Sequence, residues 1–378
     1  MKRKSRKDHI SSQIPNTPIR FLLYVSKSHK WWAITAMLSA LIGQFLMSIN
    51  PYFTQKIVDS FTSTASYSEQ VSTFGFWGFI YVMALGISFT SWRISGFAGL
   101  EWLSRANATG YSVLYRYVSK HSHTYFTNRF AGALSNKVSN ASDGVEHLLE
   151  RSLWGWYPEV ISLIVGSVLL FSVDLYIALG FLCVFLVMFV VNVLIVRRRR
   201  PYVVEYAAAS SRLRGDGIDY LTNITAARQY ARTGFELQRM GLTIADRRIK
   251  DVVQWRMSEW GIVVNNVAAF LLVGAILFYV FLLLKNNTIT PGNVILVIMV
   301  LGRMMHIIIF LGNAMNGFVR VYGEIQEGLN EIVVPHGVVD KEDSKDLMIH
   351  EAKVEWRDAN FEFGENKIFR DFQLTIEP

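Results

Sequence analysis

Six runs of about twenty apolar residues dominate this sequence, and they leave few folds open. They are Trp31–Phe53, Phe74–Gly99, Leu153–Val173, Leu175–Val196, Val263–Leu284 and Val294–Phe318. A helix needs roughly 20 apolar residues to cross a hydrocarbon core of ~30 Å. Each run is therefore read as a membrane-spanning helix, and the fold class expected is an all-α membrane protein with six transmembrane helices. Only 18% of the 378 residues are charged, against ~25% in an average soluble domain. Together with one cysteine, Cys183, inside an apolar run, this excludes a disordered chain, a disulfide scaffold and an ordinary soluble enzyme.

The cations say which way the helices run. Residues 1–30 hold eight Lys and Arg, 101–152 hold six, 197–256 hold thirteen and 317–378 hold seven. The 59–73 loop has none, and only Lys56 and Lys285 sit on that side. The positive-inside rule then places both termini and both long loops in the cytoplasm. The protein is expected to be integral and multi-pass, in the cell (inner) membrane if bacterial. The apolar run from Trp31 is too long and starts too late for a signal peptide, so it is read as a retained span.

The two long inner loops keep helical periodicity with few Pro or Gly breakers. A helix from Phe74 to about Lys120 would be ~70 Å long at 1.5 Å per residue, of which the membrane takes ~30 Å. The rest must project as an arm. The 197–262 segment predicts a second arm of the same kind. A simple pore does not need such arms; a machine driven from the cytoplasmic side does.

The tips of these arms, and the tail, resemble a known family. At the first tip stands Tyr125-Phe126-Thr127-Asn128-Arg129-Phe130-Ala131-Gly132, followed by Leu134, Lys137 and Val138. This is similar to the aromatic pair, polar linker and glycine of the ABC exporters, with Thr127, Ala133 and Ala141 where that family usually carries acids. The second tip, Asp219 to Tyr230 with Asn223 and Arg228 inside it, resembles the second coupling segment of the same family. The tail alternates at period two through Val354, Trp356, Phe361 and Phe363. A Gly-Glu-Asn turn and a strand from Ile368 to Ile376 follow. It resembles the opening hairpin of an ABC nucleotide-binding domain.

The resemblance implies a half-transporter. Residues 1–30 would be a basic N-terminus with an elbow helix, and 31–330 the transmembrane domain, with coupling segments near 122–134 and 219–231. Residues 331–350 would be a linker and 351–378 the incomplete start of a nucleotide-binding domain. Each tip would be a short helix docked on that domain, with Tyr125 or Tyr230 as an aromatic knob. Phe363 would stack on adenine. The phosphate loop is absent from these residues, so the chain alone is expected to bind no cofactor. ATP with Mg would belong to the complete protein, and a hairpin of this size cannot bury its own face. Thr17-Pro18 starts a helix with Pro at its first position, and Ile19–Tyr24 reads either as an amphipathic elbow or as a stub of the first span.

Polar groups inside spans usually face a cavity or another helix. Arg303, His306, Phe310, Asn313 and Gly317 recur on one face of the sixth span. Gly86, Thr90, Arg93 and Phe97 do so on the second. Gln44 pairs with Ser48 on the first, and Asn265 and Asn266 open the fifth. In the family the helices of two subunits enclose a cavity, so Gln44, Arg93, Asn265, Arg303, His306, Phe310 and Asn313 are candidates to line it. No acid stands in spans two, five or six, so such a cavity would be positive and suit an amphipathic anion. The expected function is the membrane part of an ATP-driven exporter that moves an amphipathic lipid, drug or peptide by alternating access, as a homodimer or heterodimer. The alternative is a non-enzymatic subunit or inactive remnant paired with a complete partner. A six-helix channel would explain the Arg303 stripe but not the arms. No metal cluster is expected, since His121 and His123 lack two further ligands. No nucleic acid is expected, since topology accounts for the basic loops.

Overall fold

The computed structural model describes residues 14–62, 66–127, 129–337, 352–363 and 366–378. The side chains of 304–306, 308–316 and 363 lie outside the described set. Ten helices and one hairpin are described, in this order. They are α1 (Pro18–Ser26), α2 (Lys30–Thr62), α3 (Tyr67–Val118), α4 (His123–Thr127), α5 (Ala131–Arg151), α6 (Tyr157–Val173), α7 (Leu175–Thr222), α8 (Ile224–Gln229), α9 (Thr233–Lys285) and α10 (Pro291–Ile332). Strands β1 (Val354–Phe363) and β2 (Asn366–Ile376) follow. All six apolar runs are helical. α2, α3, α7, α9 and the joined α5–α6 are each long and apolar enough to cross a membrane, and α10 opens with the apolar stretch Pro291–Arg303.

The long arms are single helices. α3 runs 52 residues and α9 runs 53, close to 80 Å each at 1.5 Å per residue. Their starts follow from local chemistry. Ser66 and Glu69 form a reciprocal capping box at α3. Asp174 is the tight turn between spans three and four. Its carboxylate accepts the amides of Tyr176 at 2.8 Å and Ile177 at 3.1 Å and so caps α7. Thr290 caps α10, with Pro291 at its first position. Span one differs from expectation at its end, because α2 continues through Pro51 to Thr62. Asp59 there accepts the Gly292 amide at 2.9 Å, and Gln55 bonds Asn293, which ties the short-loop ends of α2 and α10 together.

The α2–α3 pair shows how spans meet without a hydrophobic drive between them. Ala84, Ser88, Ser91, Ser95, Ala98 and Trp102 form the buried stripe of α3. Small residues let the backbones approach. Ser88 donates to the Gly43 carbonyl at 2.8 Å and Ser95 to that of Ala36 at 3.0 Å. A Cβ on Gly43 would come 3.0 Å from Trp92. The opposite face of α3 exposes Phe79, Val82, Phe89 and Phe97, as a lipid-facing surface does.

Two cores result. One gathers Phe21 and Val25 of α1 with α2, α3, α5 and the arm end of α10. The other joins α6, α7, α9 and the opposite end of α10. α1 therefore stands as a separate docked helix, with Phe21 and Val25 buried and Ile19 and Leu23 exposed. A π-helical turn at Ser152–Trp156 joins α5 to α6. β1 and β2 pair antiparallel with Val354 opposite Ile376, and β2 is exposed except at half-buried Phe372.

Candidate functional site

Two constellations bring candidate functional residues together: a polar network inside the apolar runs and the pair of arm tips. The network is built on Ser162, a buried residue of α6. Its hydroxyl accepts from Gln44 Nε2 at 2.6 Å and from Arg303 Nε at 2.9 Å, and it lies 3.0 Å from Ser48 Oγ. Gln44 also reaches Ser48 at 3.3 Å. Thus α2, α6 and α10 are pinned at one point. Glu159, one turn earlier on α6, adds a Coulombic attraction to Arg303. This acid belongs to span three, outside the spans in which no acid was found, and α6 packs against α10.

The other candidates do not join this cluster. Arg93 lies on the exposed side of α3. Asn265 makes a reciprocal amide pair with Asn192, at 3.0 and 3.1 Å, and so couples α9 to α7. The side chains of His306, Phe310 and Asn313 lie outside the described residues. Ser162, Glu159 and Asn192 are the functional groups that sequence reasoning missed. Each is a polar residue inside an apolar run, which is the signal that marks them.

The first tip is α4 and the start of α5. Tyr125 is only 8% exposed. Its hydroxyl donates to the Glu331 carbonyl at 3.0 Å, and His121 stacks on its ring at 3.9 Å between centroids. Arg129 lies over the same Tyr125 ring, 4.2 Å from its centroid, and donates to the Glu331 carboxylate at 2.5 Å. His121 Nε2 is 3.1 Å from the Ile332 carbonyl, and Tyr117 donates to Val334 at 2.8 Å. Lys137 pairs with Glu327 further up α10. Burial pushes the His121 imidazolium below its usual pKa and the Tyr125 phenol above its own. The Glu331 hydrogen bond holds Arg129 charged. Tyr125 is therefore not a free knob, because its ring and hydroxyl are engaged by its own chain. Phe126 and Phe130 are the exposed aromatics of this tip. Gly132 sits in the first turn of α5, where a Cβ would strike the Phe130 ring.

The second tip is α8 between α7 and α9. Asn223 ends α7, its amide donating to the Asp219 carbonyl at 3.0 Å. Ala231 closes α8 in the left-handed region, φ 52°, where residues other than Gly are uncommon. Tyr230 is 77% exposed and Arg228 is exposed beside it. This tip keeps the free aromatic knob that the first tip has used. Asp143, on α5, accepts from Asn107 at 3.0 Å and Tyr111 at 3.0 Å, joining α5 to α3.

The backbone of Phe363 ends β1 opposite Asn366. Its side chain, the adenine-stacking candidate, lies outside the described residues, and β2 beyond it is exposed except at half-buried Phe372. No group of metal-ligating side chains occurs among the described residues.

Residues 33–307 match the family model for the ABC transporter transmembrane region. No curated protein matches the chain. The match covers more than half of the sequence and contains both arms and both tips. The chain belongs to the ABC transporter transmembrane family, and is a membrane subunit for transport that works with a nucleotide-binding domain or partner.

Proposed function

We propose that the chain is the membrane half of an ATP-driven exporter, working as a homodimer or heterodimer by alternating access on an amphipathic lipid, drug or peptide. ATP and Mg act on a cassette domain whose motifs these 378 residues do not contain. The positive-inside distribution supports a cytoplasmic position for the arms, and so the cell membrane as the site in a bacterium. One observation carries the reading. The first tip is clasped to the last turn of α10 through Tyr125, Arg129 and Glu331, so a push on that tip or on the chain following α10 moves both together. The second tip presents Tyr230 outward, as a docking knob needs. Of the cavity candidates, Arg303 and Gln44 meet at the α2–α6–α10 junction, and Arg93 stands on the exposed side of α3.

The test is a complete transporter, this chain joined to a nucleotide-binding domain and placed in proteoliposomes. Uptake of a fluorescent amphipath should require ATP, and Tyr230→Ala should cut substrate-stimulated ATPase several-fold while the chain remains inserted. ATP-independent movement, or an unaffected Tyr230→Ala variant, overturns the proposal.

A further inference from the structure

Beyond the apolar runs, α7 and Arg247 of α9 line an open cleft of about 500 Å³, to which α7 gives Tyr206, Ala207, Ser210, Ser211, Leu213 and Arg214. The volume lies within the range of small-ligand sites, ~300–1,000 Å³. Its chemistry is one-sided. Arg247 donates from Nε to Ser210 at 3.2 Å and to the Tyr206 hydroxyl at 2.6 Å, with its guanidinium 5.1 Å from the Tyr206 ring centroid. Arg214 donates to Ser211 at 2.9 Å. Among the described residues, neither arginine forms an ion pair. Three of the neighbouring acids are engaged elsewhere: Asp216 accepts from Thr243 at 2.7 Å, Asp246 pairs with Lys250 at 2.8 Å and Asp251 accepts from Gln254 at 3.2 Å, while Glu205 stands exposed beside Tyr206. Tyr206, Ser210 and Arg214 recur every four residues, so one face of α7 supplies hydroxyls and a cation to the same wall.

We propose that this cleft binds a phosphate group. Two guanidinium forks and three hydroxyls offer more donors than a planar carboxylate can use, and a tetrahedral oxyanion accepts from several directions. The space beyond a single phosphate, with Ala207 and Leu213 in its wall, admits the organic remainder of the ligand. The site begins roughly 10–20 Å past the run Arg197–Arg200 at 1.5 Å per residue. A lipid headgroup and a free phosphate compound are both within reach of it. The cleft stands on its own contacts and does not depend on which cargo the transporter moves.

The test uses the purified full chain in phosphatidylcholine nanodiscs, with inorganic pyrophosphate titrated by calorimetry. A parallel arm adds phosphatidic acid to the nanodiscs and counts bound lipid by native mass spectrometry. Arg214→Gln and Arg247→Gln should each weaken binding about tenfold, the scale of one lost charge-assisted hydrogen bond. Arg320→Gln on α10 should change nothing. Arg214 is exposed, so its variant keeps the test valid if Arg247→Gln loosens the α7–α9 pair. Pyrophosphate binding with these losses assigns a soluble ligand, and phosphatidic acid binding alone with the same losses assigns a headgroup. If neither probe binds saturably, or if Arg320→Gln weakens binding as much as Arg214→Gln, the proposal is wrong.

Discussion

The two arms are built from helices of similar length, yet they are packed in opposite ways. The first arm closes on itself. Leu114, Val138, Val145, Leu148, Ile325 and Leu329 bury between α3, α5 and α10, each at most 2% exposed. The second arm is two helices with each other for company. Beyond the spans, Ala209, Gln254 and Gly261 are its buried residues among those described, while Ile218, Leu221, Phe235, Leu242 and Ile249 are exposed. Large apolar side chains on an arm outside the lipid mark a surface that another body covers. The difference teaches that the first arm is held by its own chain, while the second leaves its apolar surface open; under the proposed function the first would transmit force within the chain and the second would deliver it to a partner.

Glycines give the sharpest way to break that comparison. A Cβ on Gly144 of α5 would run into Ile325 of α10, whereas one on Gly241 of α9 meets nothing within 4 Å. Gly144→Val should cost ~1–3 kcal/mol by overpacking, and Gly241→Ala should add up to ~1 kcal/mol through helix propensity. Thermal unfolding in detergent reads both. Equal shifts for the two variants would mean that the arms are not packed differently.

A smaller effect should appear with pH, and in the first tip alone. The groups facing His121 are Tyr117, Tyr125, His336, Arg129 and the Ile332 carbonyl. Burial lowers its folded pKa, so the fold prefers the neutral ring. The contribution of that neutral ring is present above the ordinary value of about 6.5. It is lost as pH falls through that value toward the folded one. Fluorescence from a probe at Phe126 should report loosening on mild acidification, and His121→Phe should flatten that response. A probe at Tyr230 should stay level. A pH response of equal size at Tyr230 would assign the effect to the whole chain.

Much of the fold was legible because apolar run length and turn chemistry act along the sequence. The helices over the six apolar runs, the Asp174 turn, the helix start at Thr17-Pro18 and the terminal hairpin all come from such local signals, whereas the choice between a separate elbow and a stub of the first span was settled only by packing. The site was legible only in part. Periodicity puts Gln44 beside Ser48 and gives Arg303 a face, but not Ser162 and Glu159 as partners, because those contacts join residues more than a hundred apart. Tyr125 reads as a knob from its place in the motif. Its burial depends on where the last turn of α10 lies, which no local pattern around residue 125 encodes. Asn265 reads as a cavity candidate, and the Asn192 amide that engages it lies on another helix. Helix rotation and depth are set by packing, and single-helix patterns carry neither.

Amide hydrogen exchange on the chain by itself, in nanodiscs, tests the central contrast between the arms most directly. Exchange in helices of comparable regularity reports how well each is held by tertiary packing. The account predicts slow exchange across 134–149 of α5 and 321–332 of α10. It predicts exchange at least tenfold faster across 205–221 of α7 and 234–250 of α9, slowing when a partner subunit is bound. Protection in the second arm equal to or above that of the first, with no partner present, would contradict it.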